Sequence, residues 1–157
     1  MQKTNAMRIL DSKKLKYTVD EYDISDGMTD GISVAKKVGK DPSSVFKTLV
    51  TCSGNELFVF VIPVKQELDL KRAAKAAGKK SVDMLPQKLL MPLTGYIHGG
   101  CTALGMKKNY PVFLDESALA LDILTVSAGR VGMQITIHVS DYIKSCSAKT
   151  AKLTKEN

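Results

Sequence analysis

The amino-acid sequence predicts an α+β fold: one domain in which a mixed, mostly antiparallel sheet is flanked by helices. Three observations carry this. About seven short segments rich in β-branched and aromatic residues are interrupted by four or five helical stretches. The two kinds of element do not alternate strictly, which argues against a doubly wound parallel sheet. A chain of 157 residues, 44% hydrophobic and 25% charged, has the size and balance of a single globular domain.

The elements follow in order. Met7, Leu10 and Lys14 recur at helical spacing after Thr4, whose hydroxyl suits a helix N-cap. Tyr17–Tyr22 alternates in polarity and predicts a strand, and the polar stretch 23–31 a loop. Ile32, Ala35 and Val38 mark a short helix that Gly39 can end in the left-handed conformation. Residues 45–52 and 56–64 read as a hairpin with Ser53-Gly54-Asn55 as a three-residue loop. An alanine-rich helix is expected from about Asp69 to Gly78. A short strand at Ser81–Met84 then leads to Pro86, a good first residue for the helix of Gln87–Met91. Strands follow at 111–114, 123–127 and 133–139, the last two joined by the turn 128–132. Asp141–Cys146 reads as a helix capped by Ser140. The domain is assigned to residues 1–147, and the polar stretch 148–157 is expected to fray.

No apolar run reaches the roughly 20 residues that span a bilayer, and the N-terminus lacks a hydrophobic signal core. A cytoplasmic protein without a membrane partner is expected. Cys52, Cys101 and Cys146 are odd in number and widely spaced, which argues against a secreted disulfide scaffold. The net charge is +7, and the bases concentrate in residues 65–88 and in the C-terminal stretch. Such an excess suits a polyanionic partner, with a lysine-rich solvated surface as the alternative. Arginine occurs only at Arg8, Arg72 and Arg130, which counts against a dedicated duplex-DNA reader.

Four features could carry chemistry. Residues 94–105 hold four of the eleven glycines, and glycine lets backbone N–H groups approach a ligand. The run Gly100–Lys107 fails as a triphosphate loop because Met106 stands where lysine is required. Lys47 interrupts an apolar strand; it reads either as a solvent-facing lysine or as a cation facing a cleft, where it would meet a phosphate or a developing oxyanion. His98 and Cys101 resemble half a metal site, but no second half exists at suitable spacing, so neither metal nor other cofactor is expected. Cys101 has no evident acid partner or helix N-terminus to make it a thiolate, and no Ser/His/Asp arrangement is present.

Taken together, Asp41-Pro with Val45-Phe-Lys-Thr-Leu-Val50, Leu68-Asp-Leu-Lys71 opening a helix, and Thr94-Gly-Tyr-Ile-His-Gly-Gly100 through Lys108 resemble the YbaK family. These proteins are free-standing relatives of the editing domain inserted in bacterial prolyl-tRNA synthetases. The resemblance runs from about Leu10 to Lys144 and is strongest to the Cys-tRNA(Pro) deacylase branch. It implies a mixed sheet closed into a barrel-like core, and removal of a wrongly attached amino acid from the 3′ end of tRNA. It implies Lys47, Gly99 and Gly100 as catalytic residues and Tyr22, Thr48 and Ser127 as substrate-binding ones. Two departures stand out: Thr102-Ala103 replaces the family's Ser-Pro, and Ser127-Ala-Gly-Arg-Val-Gly132 replaces a more basic turn.

A deacylase with no nucleophile of its own can rely on the thiol of cysteinyl-tRNA, which attacks its own carbonyl and leaves as a thiolactone, while the protein orients and polarises the ester. Lys71, Lys75, Lys79, Lys80 and Arg130 are candidates for sequence-independent phosphate contacts with the acceptor end. The resemblance also implies prolyl-tRNA synthetase as a partner. Two other readings stay open at this point: an Ala-tRNA(Pro) deacylase of the same family, and a non-catalytic nucleic-acid-binding or regulatory module on this fold.

Overall fold

The computed structural model describes residues 2–156. Five helices, α1 (Asn5–Ser12), α2 (Gly31–Lys37), α3 (Leu70–Ala77), α4 (Gln87–Thr94) and α5 (Val139–Cys146), surround eight strands. These are β1 (Tyr17–Glu21), β2 (Phe46–Ser53), β3 (Glu56–Pro63), β4 (Asp83–Met84), β5 (Val112–Asp115), β6 (Ile123–Ser127), β7 (Met133–His138) and β8 (Lys149–Ala151). The mixed α+β organisation read from the sequence is what the chain adopts.

The strands form two sheets rather than one closed barrel. A three-stranded sheet has the order β1-β7-β6, all antiparallel; a five-stranded sheet has the order β4-β2-β3-β5-β8, with β3, β5 and β8 parallel. Among the described residues, the one β-bridge between the two sheets is that of Val45 with Thr125. The barrel-like closure implied by the resemblance is absent among the described residues, because β2 runs past the two-residue strand β4, paired with it only at Thr51 and Cys52.

The main core lies between the sheets. Val59 and Val61 of β3 meet Leu124 and Val126 of β6, Ile135 and Ile137 of β7, and α1 through Met7 and Leu10. Strand β3 is buried on both faces, which explains its unbroken apolar run. Its alternate residues Phe58, Phe60 and Ile62 form a second core under α3, where Phe60 stacks on Phe113 at 5.3 Å between ring centroids. Ala73 and Ala74 let α3 lie close to that face, and the Asp69 carboxylate caps it by accepting the Lys71 and Arg72 N–H groups. Thr4 caps α1 through Met7 N at 3.2 Å, as its position suggests.

Three local expectations need correction. Ser53 pairs with Glu56, so the hairpin loop is the two residues Gly54-Asn55. Helix α5 starts at Val139 with His138 as its N-cap, placing Ser140 inside it. The stretch 148–157 does not fray as expected over its described part. Lys149–Ala151 pair with β5, Leu153 is fully buried, and Leu153 N donates to the buried Asp115 carboxylate at 2.9 Å. A polar segment with one leucine in the right register gains a place in the sheet through backbone bonds, which composition does not reveal. Among the described residues, no helix is long and apolar enough to cross a membrane.

Candidate functional site

A cavity of 340 Å³ opens where β2 has no neighbour. Its walls are Val45 and residues 46–50 of β2, Ser127 and Gln134 from the three-stranded sheet, and Tyr22. Thr29, Asp30, Gly31 and Val34 around the start of α2, Val64, then Met84, Leu85, Gln87 and Leu90, and the loop residues His98, Gly99 and Cys101 complete it. The open edge follows from the ladder. Val45 O accepts from Val64 N and Val50 O from Leu85 N, so from Phe46 to Val50 the even-numbered residues turn their peptide groups away from β3. The Thr48 peptide group therefore faces the cavity. In the loop, Gly99 has φ +87 and its N–H makes no hydrogen bond among the described residues.

Three side-chain oxygens of residues on this cavity are buried with no hydrogen-bond partner among the described residues: Tyr22 Oη, Thr48 Oγ1 and Gln134 Oε1. A buried polar atom left unpaired costs roughly 1–3 kcal/mol. Three such atoms on residues that line one cavity make it the candidate ligand site.

Lys47 lies on the same wall. The pleat sends it to the face shared by Leu49 and its cross-strand partner Ile62, while Phe46 points into the main core. Half-buried, it has its ammonium pKa pulled below the ordinary lysine value by desolvation, with Glu67 partly opposing the shift. A lysine so placed holds its proton less firmly and its field is less screened than on an open surface.

Five residues named from the sequence, Tyr22, Lys47, Thr48, Gly99 and Ser127, come together here. Ser127 Oγ accepts the Gly129 N–H at 3.1 Å, so part of its capacity holds the adjoining turn. Gly100, also named from the sequence, does not line the cavity, and its N–H donates to Ile97 O at 3.0 Å. Lys71, Lys75, Lys79, Lys80 and Arg130 also lie off the cavity. Lys79 pairs with Glu56 at 2.9 Å and Arg130 donates to Gln2 O at 3.3 Å, leaving Lys71, Lys75 and Lys80 exposed on or just beyond α3. The Thr102-Ala103 departure does not unfasten the loop: Thr102 Oγ1 accepts Leu104 N at 3.4 Å and the Tyr96 hydroxyl donates to Leu104 O.

Gln134 is the functional candidate that sequence reading missed. It sits in the apolar run Met133–His138, and its signal lies in the hairpin register that sets it opposite Ser127. Cys101 lines the cavity, but burial pushes its thiol up to about 12, so it stays protonated near neutral pH. Among the described residues no group of three or more His, Cys, Asp or Glu side chains is placed to hold a metal ion.

The model of the aminoacyl-tRNA editing domain family matches residues 28–145, and the chain belongs to that family. Its relatives include EbsC of Enterococcus faecalis, named as a Cys-tRNA(Pro)/Cys-tRNA(Cys) deacylase. The two are 44% identical over 155 residues, 98% of this chain and 94% of the relative. A solved structure described as a trans-editing enzyme for prolyl-tRNA synthetase superposes with TM-score 0.84 at 22% identity, covering 99% of this chain and 100% of that one. The protein APE2540 superposes with TM-score 0.87 at 18% identity, covering 97% of this chain and 100% of that one. These two likenesses speak to the fold.

Proposed function

We propose that this protein deacylates cysteine-mischarged tRNA in trans, with Cys-tRNA(Pro) as the principal substrate and Cys-tRNA(Cys) as a second. The observation that carries the reading is the cavity itself: it gathers hydrogen-bonding groups and a cation but holds no activated nucleophile. The substrate then brings the nucleophile. Its thiol, with an ordinary pKa near ~8.5, loses a proton, and the sulfur attacks its own carbonyl carbon. The carbonyl oxygen gains charge, and the Gly99 and Thr48 N–H groups are assigned to donate hydrogen bonds to it. The C–O bond to the ribose breaks, the ribose oxygen takes up a proton, and a thiolactone leaves. Holding thiol and carbonyl in register is worth several orders of magnitude in rate, enough for a protein that contributes only orientation and field.

Lys47 is assigned to the terminal ribose or phosphate, and Tyr22, Thr48, Ser127 and Gln134 to the aminoacyl group. An α-ammonium has three N–H donors to offer the three unpartnered oxygens. Lys71, Lys75 and Lys80 stand on the outer face of β2 and β3, the face on which Lys47 leaves the sheet, and supply phosphate contacts. Selection of one tRNA then falls to a partner, for which prolyl-tRNA synthetase is the candidate. A cytoplasmic location follows from that role.

The test is loss of the aminoacyl group from Cys-, Ala- and Pro-tRNA(Pro) with purified protein. Release from Cys-tRNA with a thiolactone product is expected. Efficient release from Ala-tRNA would transfer the assignment to an alanine deacylase using water, and binding without turnover on any of the three would make the protein a tRNA-binding module.

A further inference from the structure

The segment Asp23–Asp30 joins β1 to α2 and spans two walls of the cavity, with Tyr22 at one end and Thr29, Asp30 and Gly31 at the other. Most of its hydrogen bonds are local. Ser25 N and Oγ each reach the Asp23 carboxylate at 3.0 Å, Met28 N reaches Asp26 at 2.9 Å, and Gly27 N reaches Ile24 O at 3.2 Å. Such bonds shape a loop without fixing it to anything. Its largest apolar side chains, Ile24 and Met28, are exposed, so packing does little to hold it.

One side chain from outside the segment fastens it. Lys37, in the last turn of α2, donates to Asp23 O at 2.7 Å, Asp26 Oδ1 at 2.8 Å and Met28 O at 2.9 Å. Those three bonds use every proton of the ammonium. The same nitrogen lies 6.0 Å from the centre of the Tyr22 ring. Among the described residues, no other side chain beyond residue 30 bonds to residues 23–29. Only 20% of the Lys37 side chain is exposed, so this is a seated cation rather than a surface ion pair.

We propose that Lys37 is a positioning residue of the editing site. Its ammonium clasps residues 23–28 and so holds the Tyr22 hydroxyl and the Asp30–Gly31 wall across the cavity from Thr48. Lys37 touches no part of the cavity itself and acts through Tyr22. The kinetic part of this proposal rests on the deacylase reading; the structural part does not.

Lys37→Ala removes three carbons and the nitrogen, the skeleton of n-propylammonium, which allows chemical rescue. Hydrogen exchange of residues 23–30 and the NMR signals of the Tyr22 ring are read in the tRNA-free protein. Exchange should quicken at least about tenfold in Lys37→Ala, the Tyr22 signals should shift, and millimolar n-propylammonium should reverse both. With Cys-tRNA, kcat should fall about tenfold or more and recover with the amine, while affinity for uncharged tRNA stays within about twofold. Asp26→Asn, which keeps the lysine and both carbonyl bonds, should reproduce the effect more weakly and serves as the second variant if Lys37→Ala does not fold. Unchanged exchange and unchanged Tyr22 signals in both variants would overturn the proposal, as would altered exchange with kcat left at the wild-type value. If the wild type fails to cleave Cys-tRNA, the deacylase reading falls, and the exchange and Tyr22 data alone decide whether Lys37 is the clasp.

Discussion

Gly100 packs against the backbone of Val131: a Cβ on Gly100 would lie 2.9 Å from Val131 N, with Arg130 Cα at 3.2 Å. Neighbouring Gly99 is different. Its side-chain position meets only the Val131 methyl at 3.4 Å, but its φ of +87 favours glycine. The two glycines thus serve separate purposes, one of close approach and one of backbone conformation beside the cavity.

Gly100→Ala is therefore expected to destabilise the protein by about 1–3 kcal/mol through a forced shift of the 128–132 turn. Gly99→Ala should cost about 1 kcal/mol of stability and should lower kcat more than it weakens tRNA binding. Urea unfolding together with single-turnover deacylation separates the two. Equal losses of stability and rate in both variants would sink the distinction.

Lys47→Ala should abolish most deacylation with the fold retained, checked by circular dichroism and turnover. The pH dependence carries more information. Rates on Cys-tRNA should rise as the substrate thiol ionises near ~8.5 and fall again below pH 10.5, where Lys47 loses its proton early. Lys47→Arg should retain its charge and displace the falling limb upward. For stability the sign is the reverse of a favourable ion pair. The fold holds a charged amine partly out of water at neutral pH, and that penalty is relieved as pH climbs through the lowered value towards 10.5, while the unfolded chain is still protonated. Lys47→Met should accordingly be more stable than wild type at pH 7, with the gap closing in alkali.

Replacing Cys52, Cys101 and Cys146 together by alanine should leave activity on Cys-tRNA within about threefold of wild type, since a neutral thiol is a poor nucleophile. Cys101 should also resist iodoacetamide in the folded protein at pH 8, because its thiol ionises only near 12. Ser-tRNA should be nearly inert. An aminoacyl-enzyme trapped on Cys101 would overturn the substrate-thiol mechanism.

Leu153→Ala should lower stability by roughly 2–5 kcal/mol, the cost of emptying a fully buried leucine site. A frayed tail would show no change, so one thermal or urea titration decides the matter.

Affinity for uncharged tRNA should fall steeply with salt, and replacing Lys71, Lys75 and Lys80 by glutamine should flatten the slope by about one unit for each phosphate no longer neutralised. Lys79→Gln should matter less, since Glu56 already engages that ammonium. A slope unaltered by the triple change would remove α3 from the nucleic-acid surface.

Much of the fold was legible because local chemistry agrees with tertiary context: the Thr4 cap, the 46–63 hairpin and the Asp69-to-Gly78 helix each carry their own signal. Strand β8 was not, because Leu153 is one leucine in a polar stretch and its partner strand β5 lies more than thirty residues away. Lys47, Thr48 and Gly99 were found through motif resemblance, since a lysine in a strand is chemically ambiguous alone. Gln134 went unseen because its meaning depends on which face of β7 is covered, and only assembly of both sheets determines that. The failed barrel has the same origin. Closure requires a partner for β2, and β4 is too short to provide one.

That missing partner has an evolutionary consequence. Where a ligand meets the main chain along an open strand edge, substitution at Thr48 alters the side chain and leaves its N–H in place. Mutational damage should then be widest at residues that place the backbone, such as Gly100 and the core valines of β3, and narrower at the residues facing the ligand. On the proposed mechanism, lineages with this architecture are free to retune which amino acid they reject by changing side chains such as that of Thr48, while the strand-edge N–H of any residue but proline keeps its place.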